Sequence, residues 1–146
     1  MKKRISLVIL GLFFLLQFYP VDRTNPKEEA PLKSDEAVIG ILKRSCFDCH
    51  SNQTKWPYYS YIFPVSLFLN HHIEEGRAEL NFSDWEKLSL KKRATLAGTI
   101  LEEIEEKEMP LFSYTLIHRE ASLSLAEIQV LKEWADKVET AYQEEP

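Results

Sequence analysis

The sequence predicts an all-α protein, a small bundle of four to five helices. Three observations support this fold class. Apolar residues recur at helical spacing in several segments, and Ser-x-x-Glu capping boxes precede two of them. No segment shows sustained two-residue alternation or an Asn-Gly or Asp-Gly hairpin turn. The 146 residues fit one domain, and 45% hydrophobic and 28% charged residues are typical of a globular chain.

The N-terminus combines a basic start with an apolar run. Lys2, Lys3 and Arg4 precede the mainly apolar residues 5–16, which is the pattern of an export signal. No small-x-small cleavage triplet follows the run, so we expect either a signal peptide or a membrane anchor formed by residues 5–21. A buried helix of the domain is the alternative. Positive charges precede the apolar run and an acidic chain follows it, which predicts an exported protein of the cell envelope with its body on the periplasmic side.

The chain divides into four parts by composition. Residues 1–20 are predicted to be the signal peptide or anchor, and residues 21–33 a linker, because prolines interrupt a polar stretch there. Residues 34–142 form the predicted domain, and residues 143–146 are a tail.

The domain opens with a helix that leads into the only two cysteines. Ser34 is a candidate N-cap, and Asp35 and Glu36 suit the first turn of this helix. The next helix is expected to begin at Pro64, which can occupy the start of a helix without losing a backbone bond.

The second half of the domain contains three further start signals. Ser83 with Glu86, and Ser124 with Glu127, form capping boxes, and Ser89 is a third candidate N-cap. The helix after Ser89 should end before Pro110. The helix after Ser124 is the most clearly amphipathic one in the chain.

The chemistry concentrates in Cys46-Phe-Asp-Cys49-His50. Two cysteines three residues apart lie on one side of a helical turn, so both sulfurs can reach one flat partner, and the next residue faces the partner's centre. Haem c meets these demands: Cys46 and Cys49 form thioether bonds with its two vinyl groups, and His50 binds the iron. Export agrees with this interpretation, since unpaired thiols tend to be oxidised outside the cytoplasm.

The two cysteines have three other possible uses. A thioredoxin-like redox pair has this spacing but expects a βαβ context. A structural zinc site needs a second ligand pair, and the chain has no third cysteine. A disulfide across two intervening residues closes too small a loop to constrain much of the unfolded chain. Haem is therefore the preferred partner.

The second axial ligand of the iron has four candidates. Met109 is favoured because it stands alone in the acidic segment EEIEEKEMP, in a loop between two helices. His71 and His72 are the alternatives, since imidazole is an equally good donor. His118 is expected to pack in a loop or lie at the surface.

An aromatic run follows the cysteine motif. Trp56, Tyr58, Tyr59, Tyr61 and Phe63 are expected to supply part of the core, with one or two of them lining the haem edge.

The charge of the chain restricts its partners. Without the three basic residues at the N-terminus, the chain has 15 basic and 23 acidic residues, which gives a formal charge of about −8. Nucleic acid is therefore not an expected partner. A redox partner protein with a basic face is the better electrostatic match.

The chain also resembles known haem proteins. The cysteine motif, the Met109–Pro110 pair and the closing helix pattern of residues 123–134 resemble the class I cytochrome c plan. More closely, residues 34–140 resemble the bacterial haem-binding domain family of exported proteins with one CxxCH, in SCFDCHSNQTKWPYYSYIFPVS, NHHIEEGRAELNFSDW and EKEMP. The resemblance implies a cytochrome c-like bundle around one covalent haem. It also implies Cys46 and Cys49 as attachment sites, His50 as proximal ligand and Met109 as distal ligand.

The expected function is a mono-haem c-type cytochrome that carries single electrons rather than an enzyme. With both axial positions filled, the iron has no site for a substrate. The alternatives are a haem enzyme or a gas- or peroxide-binding protein with an open distal site, with His71 or His72 as acid-base group, and a sensory or assembly module.

Overall fold

The computed structural model describes residues 2–144, and this part of the chain contains helices and no strand. The α-helices are α1 (Lys2–Leu16), α2 (Glu36–Ser45), α3 (Phe47–His50), α4 (Val65–Glu79), α5 (Leu90–Glu105), α6 (Phe112–Thr115) and α7 (Leu125–Gln143). Short 3₁₀ helices lie at Tyr58–Tyr61, Phe82–Lys87 and Arg119–Ala121. The all-α prediction is confirmed for these residues, and the long helices of the domain are α2, α4, α5 and α7.

Two of the predicted helix starts are confirmed by their side-chain capping bonds. Ser124 and Glu127 form a reciprocal capping box at α7, and the Ser89 side chain accepts a bond from the Lys92 backbone at α5. Helix α4 also begins at Val65, directly after Pro64. Helix α2 begins one residue later than expected: its N-cap is Asp35 rather than Ser34, because the Asp35 carboxylate accepts from the Val38 backbone N–H.

The capping box predicted at Ser83 is wrong. Residues Phe82–Lys87 form a 3₁₀ helix whose cap is Asn81, and the Asn81 side chain accepts from the Ser83 backbone N–H. The Ser83 hydroxyl is buried and donates instead to Glu28, while it accepts from the Asn52 backbone N–H. Its side chain therefore joins two distant segments rather than starting a helix.

The core lies between α2, α5, α7 and the 3₁₀ helix Phe82–Lys87. Helices α5 and α7 pack along each other, and the Trp134 ring of α7 lies 5.6 Å from the Trp85 ring of the 3₁₀ helix. Both rings are almost fully buried. Burying an aromatic side chain of this size stabilises the fold by roughly 2–3 kcal/mol. On the side nearer the cysteine motif, Phe47 stacks on Phe82 at 5.2 Å.

The segment predicted to be a free linker is packed onto the domain. Residues 21–33 form no regular helix or strand, but the Leu32 amide donates to the Phe82 carbonyl at 2.8 Å and the Leu32 side chain is buried in the core. Arg23 donates to the Ser60 carbonyl, and Asn25 to the Thr54 carbonyl. The composition indicated a flexible tether, whereas these long-range bonds make the segment a strap along the domain.

The N-terminal helix α1 does not pack into the core. None of its residues is buried, and it ends near the domain, where the Gln17 side chain accepts from the Phe63 backbone N–H at 2.9 Å. Within residues 2–144, no helix combines the length and the apolar character needed to cross a membrane, and the predicted anchor of residues 5–21 is α-helical only as far as Leu16. Met1, and residues 145 and 146 of the predicted tail, lie outside the described residues.

Candidate functional site

A cavity of about 570 Å³ opens beside the cysteine motif. Its walls come from the turn between α2 and α3, from α4, from α5 and from the loop between α5 and α7. The lining is mostly apolar, with a few convergent polar groups, and the volume is in the usual range for a bound cofactor. Cys46, Cys49, His50 and Met109 all line it, so the fold brings the four residues singled out in the sequence to one place.

The cysteine motif is a single helical turn at the end of α2. The Cys46 amide still bonds to the Leu42 carbonyl, but the Cys46 backbone leaves the helical region, with φ −128° and ψ −36°. The amides of Cys49 and His50 then bond back to the Cys46 carbonyl, at 3.2 and 2.9 Å. This turn presents both thiols and the imidazole to the same cavity, as the spacing predicted.

His50 is held by its Nδ1 atom. That nitrogen lies 2.9 Å from the Gly76 carbonyl oxygen and 3.2 Å from the Leu80 carbonyl oxygen, both at the C-terminal end of α4. Because both partners are acceptors, Nδ1 carries the hydrogen, and a neutral imidazole then keeps its lone pair on Nε2. Burial lowers the pKa of His50 and outweighs the opposing effect of the two carbonyls. The ring is therefore a neutral imidazole with Nε2 left to bind a metal.

Gly76 permits the close approach between α4 and the motif. A Cβ atom at this position would lie 2.8 Å from the Cys49 carbonyl oxygen and 3.3 Å from the Cys49 Cβ atom. Such a distance is not tolerated between a Cβ atom and a backbone oxygen. This contact could not be predicted from the sequence, because a glycine inside a helix acquires its role only through the element packed against it.

The two thiols are free and half-buried. Burial, with a smaller contribution from the neighbouring Cys49, raises the pKa of Cys46 to about 12. Burial, with a smaller contribution from Asp48, raises the pKa of Cys49 to about 11. Both are protonated near neutral pH. Redox-active cysteines have a lowered pKa, so this environment does not favour a thioredoxin-like pair.

Met109 enters the cavity from the end of α5. The helix closes with a Schellman motif, in which the Lys107 amide bonds to Ile104 and the Glu108 amide to Glu103, and Lys107 takes the left-handed φ of 64°. The Met109 amide also donates to the Glu103 carbonyl, at 3.1 Å. These bonds fix the backbone of Met109 at the end of α5, whereas His50 is held by α4.

The three other candidate histidines differ in position. His72 lines the cavity, and its Nδ1 atom lies 2.9 Å from the Phe68 carbonyl oxygen. His71 does not line the cavity; its side chain is 65% exposed and pairs with Glu75 at 3.2 Å. His118 packs in the loop before α7, where its Nε2 atom is 2.6 Å from the Tyr59 hydroxyl.

The expectation that the aromatic run 56–63 lines the cavity edge is wrong. Among the described residues that line the main cavity, the aromatic rings are Phe82 and Tyr114. Tyr58 and Tyr61 are exposed instead, at 79% and 60%. Tyr114 was missed in the sequence because its role depends on a partner 66 positions away: its hydroxyl donates to the Asp48 carboxylate at 2.7 Å.

Comparison with protein-family models matches residues 11–137 to the haem-binding domain family. Neither a curated protein nor a solved structure matches the chain. The family match covers most of the sequence, including every residue of the cavity described above. The chain therefore belongs to the haem-binding domain family, and the match supports haem as its cofactor.

Proposed function

We propose that this protein binds one haem covalently outside the cytoplasm and transfers single electrons, as a c-type cytochrome with a cytochrome c-like fold. The observation that carries the proposal is the bonding of His50. Its Nδ1–H is occupied by two backbone carbonyls, and its Nε2 is left free in a cavity that also holds two thiols. Histidines that bind metals usually donate their other ring N–H in this way, which fixes the orientation of the ring.

Cys46 and Cys49 are the proposed attachment residues. Each thiol adds across one vinyl group, so that sulfur bonds to one carbon and the hydrogen goes to the other, and no further reactant is needed. Because both thiols share one turn with His50, attachment and iron binding would lie within the same five residues. The free, protonated state of both thiols suits this addition better than disulfide exchange.

Met109 is the proposed second axial ligand. His72 lines the cavity too, but it lies on α4, the helix that supplies the acceptors for His50. Met109 follows α5, which forms a different wall of the cavity, so we prefer it to His72 as the second residue that would hold the iron. Haem supplies a one-electron iron couple, and a Met/His pair raises its potential. The chain's own part is to hold both axial residues and to surround the site with apolar side chains.

The surroundings of the cavity favour a basic redox partner. Asp48, Glu75, Glu79 and Glu103 line it, and the side chains of Glu75 and Glu79 are on exposed positions of α4. A partner with Lys and Arg side chains around its own cofactor would be steered to this face. Location outside the cytoplasm, with attachment to the membrane through the N-terminal segment, rests on the basic start and on the fully exposed apolar surface of α1.

Visible spectroscopy of the holoprotein, made together with the haem-attachment machinery, tests the carrier function. We expect a low-spin spectrum with a methionine-to-iron charge-transfer band that disappears in Met109→Ala and persists in the matched variant His72→Ala. A wild-type spectrum that is high-spin and shifts on addition of cyanide or carbon monoxide would contradict Met109 ligation.

One observation supports a second candidate function. If the distal position were open, His72 lines the cavity beside His50 and would be available as an acid-base group, whereas the His71 side chain is 65% exposed and pairs with Glu75. The protein would then bind peroxide or a small gas. In that case His72→Ala, and not Met109→Ala, is expected to change the reaction with peroxide.

A further inference from the structure

The first part of the loop between α5 and α7, residues 110–117, lines the cavity but is itself weakly buried. Helix α6 within it has one turn, and the side chains of Phe112, Leu116 and Ile117 are 78%, 61% and 58% exposed. Few apolar contacts therefore hold this part of the loop on the domain, whereas Ala121 is buried and Leu123 packs on the core later in the loop. Weakly buried segments open at low free-energy cost. Its position has to depend on specific polar contacts.

Tyr114 makes the contact that joins the loop to the cysteine motif. Its hydroxyl donates to Asp48 Oδ2 at 2.7 Å, and Asp48 lies between Cys46 and Cys49 in the sequence. The other carboxylate oxygen, Oδ1, accepts from the Lys55 backbone N–H at 3.0 Å, so the acceptor is itself held in place. A hydrogen bond to a carboxylate is among the stronger ones in proteins.

The ring of Tyr114 is also fixed from its other side. It stacks on His118 with 4.5 Å between ring centres and 23° between planes, and His118 is bonded to Tyr59. The Tyr114 ring thus lies against the cavity, held at its hydroxyl by the motif and at its face by the loop. Burial and the bond to Asp48 raise the pKa of Tyr114 far above its ordinary value, so the phenol remains a donor.

We propose that Tyr114 is a positioning residue: its hydrogen bond to Asp48 latches the loop over the cavity, so that Met109, rather than a ligand from solution, occupies the second axial position. This inference rests on the proposed function for its effect on iron. The latch itself, as a property of the loop, stands on the contacts above. It couples the distal residue to the motif that carries the haem, through a residue of that motif with no ligand role of its own.

Cyanide binding to the ferric holoprotein tests the latch. Cyanide binds only after Met109 leaves the iron, so its apparent affinity reports how often the loop opens. Tyr114→Phe keeps the ring and removes the donor, and we expect the affinity to rise about tenfold, the effect of losing about 1.4 kcal/mol. Asp48→Ala should match it, the double variant should add little, and Asp48→Asn, which keeps an acceptor oxygen, should restore part of the closure.

Tyr58→Phe is the control, because Tyr58 is 79% exposed and the Asp48 carboxylate accepts instead from Lys55 and Tyr114. Hydrogen exchange of the amides of Tyr114, Thr115 and Leu116 gives a readout independent of the iron, and it should be faster in Tyr114→Phe while α7 is unchanged. If these amides exchanged in Tyr114→Phe at the same rate as in the wild type, the latch would be overturned. Faster exchange, with cyanide affinity unaffected by both Tyr114→Phe and Met109→Ala, would uphold the latch and instead refute Met109 as a ligand. If Met109→Ala raises the affinity and Tyr114→Phe does not, the positioning role is wrong.

Discussion

The two sides of the cavity are built differently. The His50 side is a turn packed so closely against α4 that a Cβ atom at Gly76 would clash with it, with Phe47 stacked on Phe82 and two carbonyls on the imidazole. The Met109 side is the first part of a loop, with a one-turn helix and several exposed apolar side chains, and polar contacts such as the Tyr114–Asp48 bond hold it. The first side is determined by packing and the second by hydrogen bonds.

This difference separates two roles within one site. A residue fixed by buried packing cannot move without a large loss of free energy, because protein interiors are close-packed. A residue on a hydrogen-bonded loop can leave at modest cost. We therefore expect substitutions on the His50 side to change folding and haem retention, and substitutions on the Met109 side to change ligation with little effect on stability.

The largest effect is expected for Phe82→Ala. Phe82 is 1% exposed, stacks on Phe47 and forms part of the cavity wall, so its removal should lower the free energy of unfolding by about 3–5 kcal/mol. The matched variant is Phe112→Ala on the loop, where the ring is 78% exposed and the change should stay within about 0.5 kcal/mol. Urea unfolding of the holoprotein measures both. Similar losses for the two variants would remove the distinction between the two sides.

A smaller effect is expected for Gly76→Ala. Alanine favours a helix, but its Cβ atom would meet the Cys49 carbonyl oxygen at 2.8 Å, so we expect a net loss of about 1–3 kcal/mol and weaker haem retention. Gly98→Ala is the control, because no atom lies within 4 Å of a Cβ atom there, and it should stabilise the protein by about 0.5–1 kcal/mol. If thermal unfolding showed Gly76→Ala to be as stabilising as Gly98→Ala, the close approach of α4 would not exist in solution.

The smallest effect concerns the ion pair behind the motif. Arg44, near the end of α2, lies 2.7 Å from Glu127 at the start of α7. This bond, with help from Ser124, lowers the pKa of Glu127 from 4.5 to about 2. Since the folded state has the lower pKa, the stabilisation is complete above about pH 4.5 and is lost as the pH falls towards about 2.

Glu127→Gln keeps an acceptor for the cap and removes the charge. Because the pair is partly exposed, we expect the substitution to lower the free energy of unfolding by about 0.5 kcal/mol near pH 7. This difference from the wild type should disappear as the pH falls from 4.5 to 2. The control is Glu102→Gln, which removes an exposed carboxylate of α5 and leaves the Arg44 pair intact. Urea unfolding over this pH range checks it. If the difference in the free energy of unfolding between Glu127→Gln and the wild type did not change with pH, the Arg44–Glu127 pair would not exist in solution.

Local signals in the sequence predicted much of the fold. The Ser124–Glu127 capping box, the Ser89 cap and the helix after Pro64 depend on neighbours within four residues, and all three are present. The cysteine turn was predictable for the same reason, because its spacing alone sets which side of a helix the thiols share.

Features that depend on distant partners were not predictable. The polar composition of residues 21–33 suggested a free linker, but Leu32 finds the Phe82 backbone 50 positions away. Trp56, Tyr58 and Tyr61 were candidates for the cavity wall because they follow the motif, whereas the aromatic side chains of Phe82 and Tyr114 line the cavity in the folded protein. Gly76 and Tyr114 gain their roles only from contacts with the motif itself.

Covalent attachment of haem to Cys46 and Cys49 is the central claim, and intact-mass spectrometry tests it most directly. Protein made together with the haem-attachment machinery should have the mass of the chain plus one haem, and it should keep the haem through acid-acetone extraction. The double variant Cys46→Ala/Cys49→Ala should release it. A wild-type mass without haem, or haem that is removed by the extraction, would contradict covalent attachment.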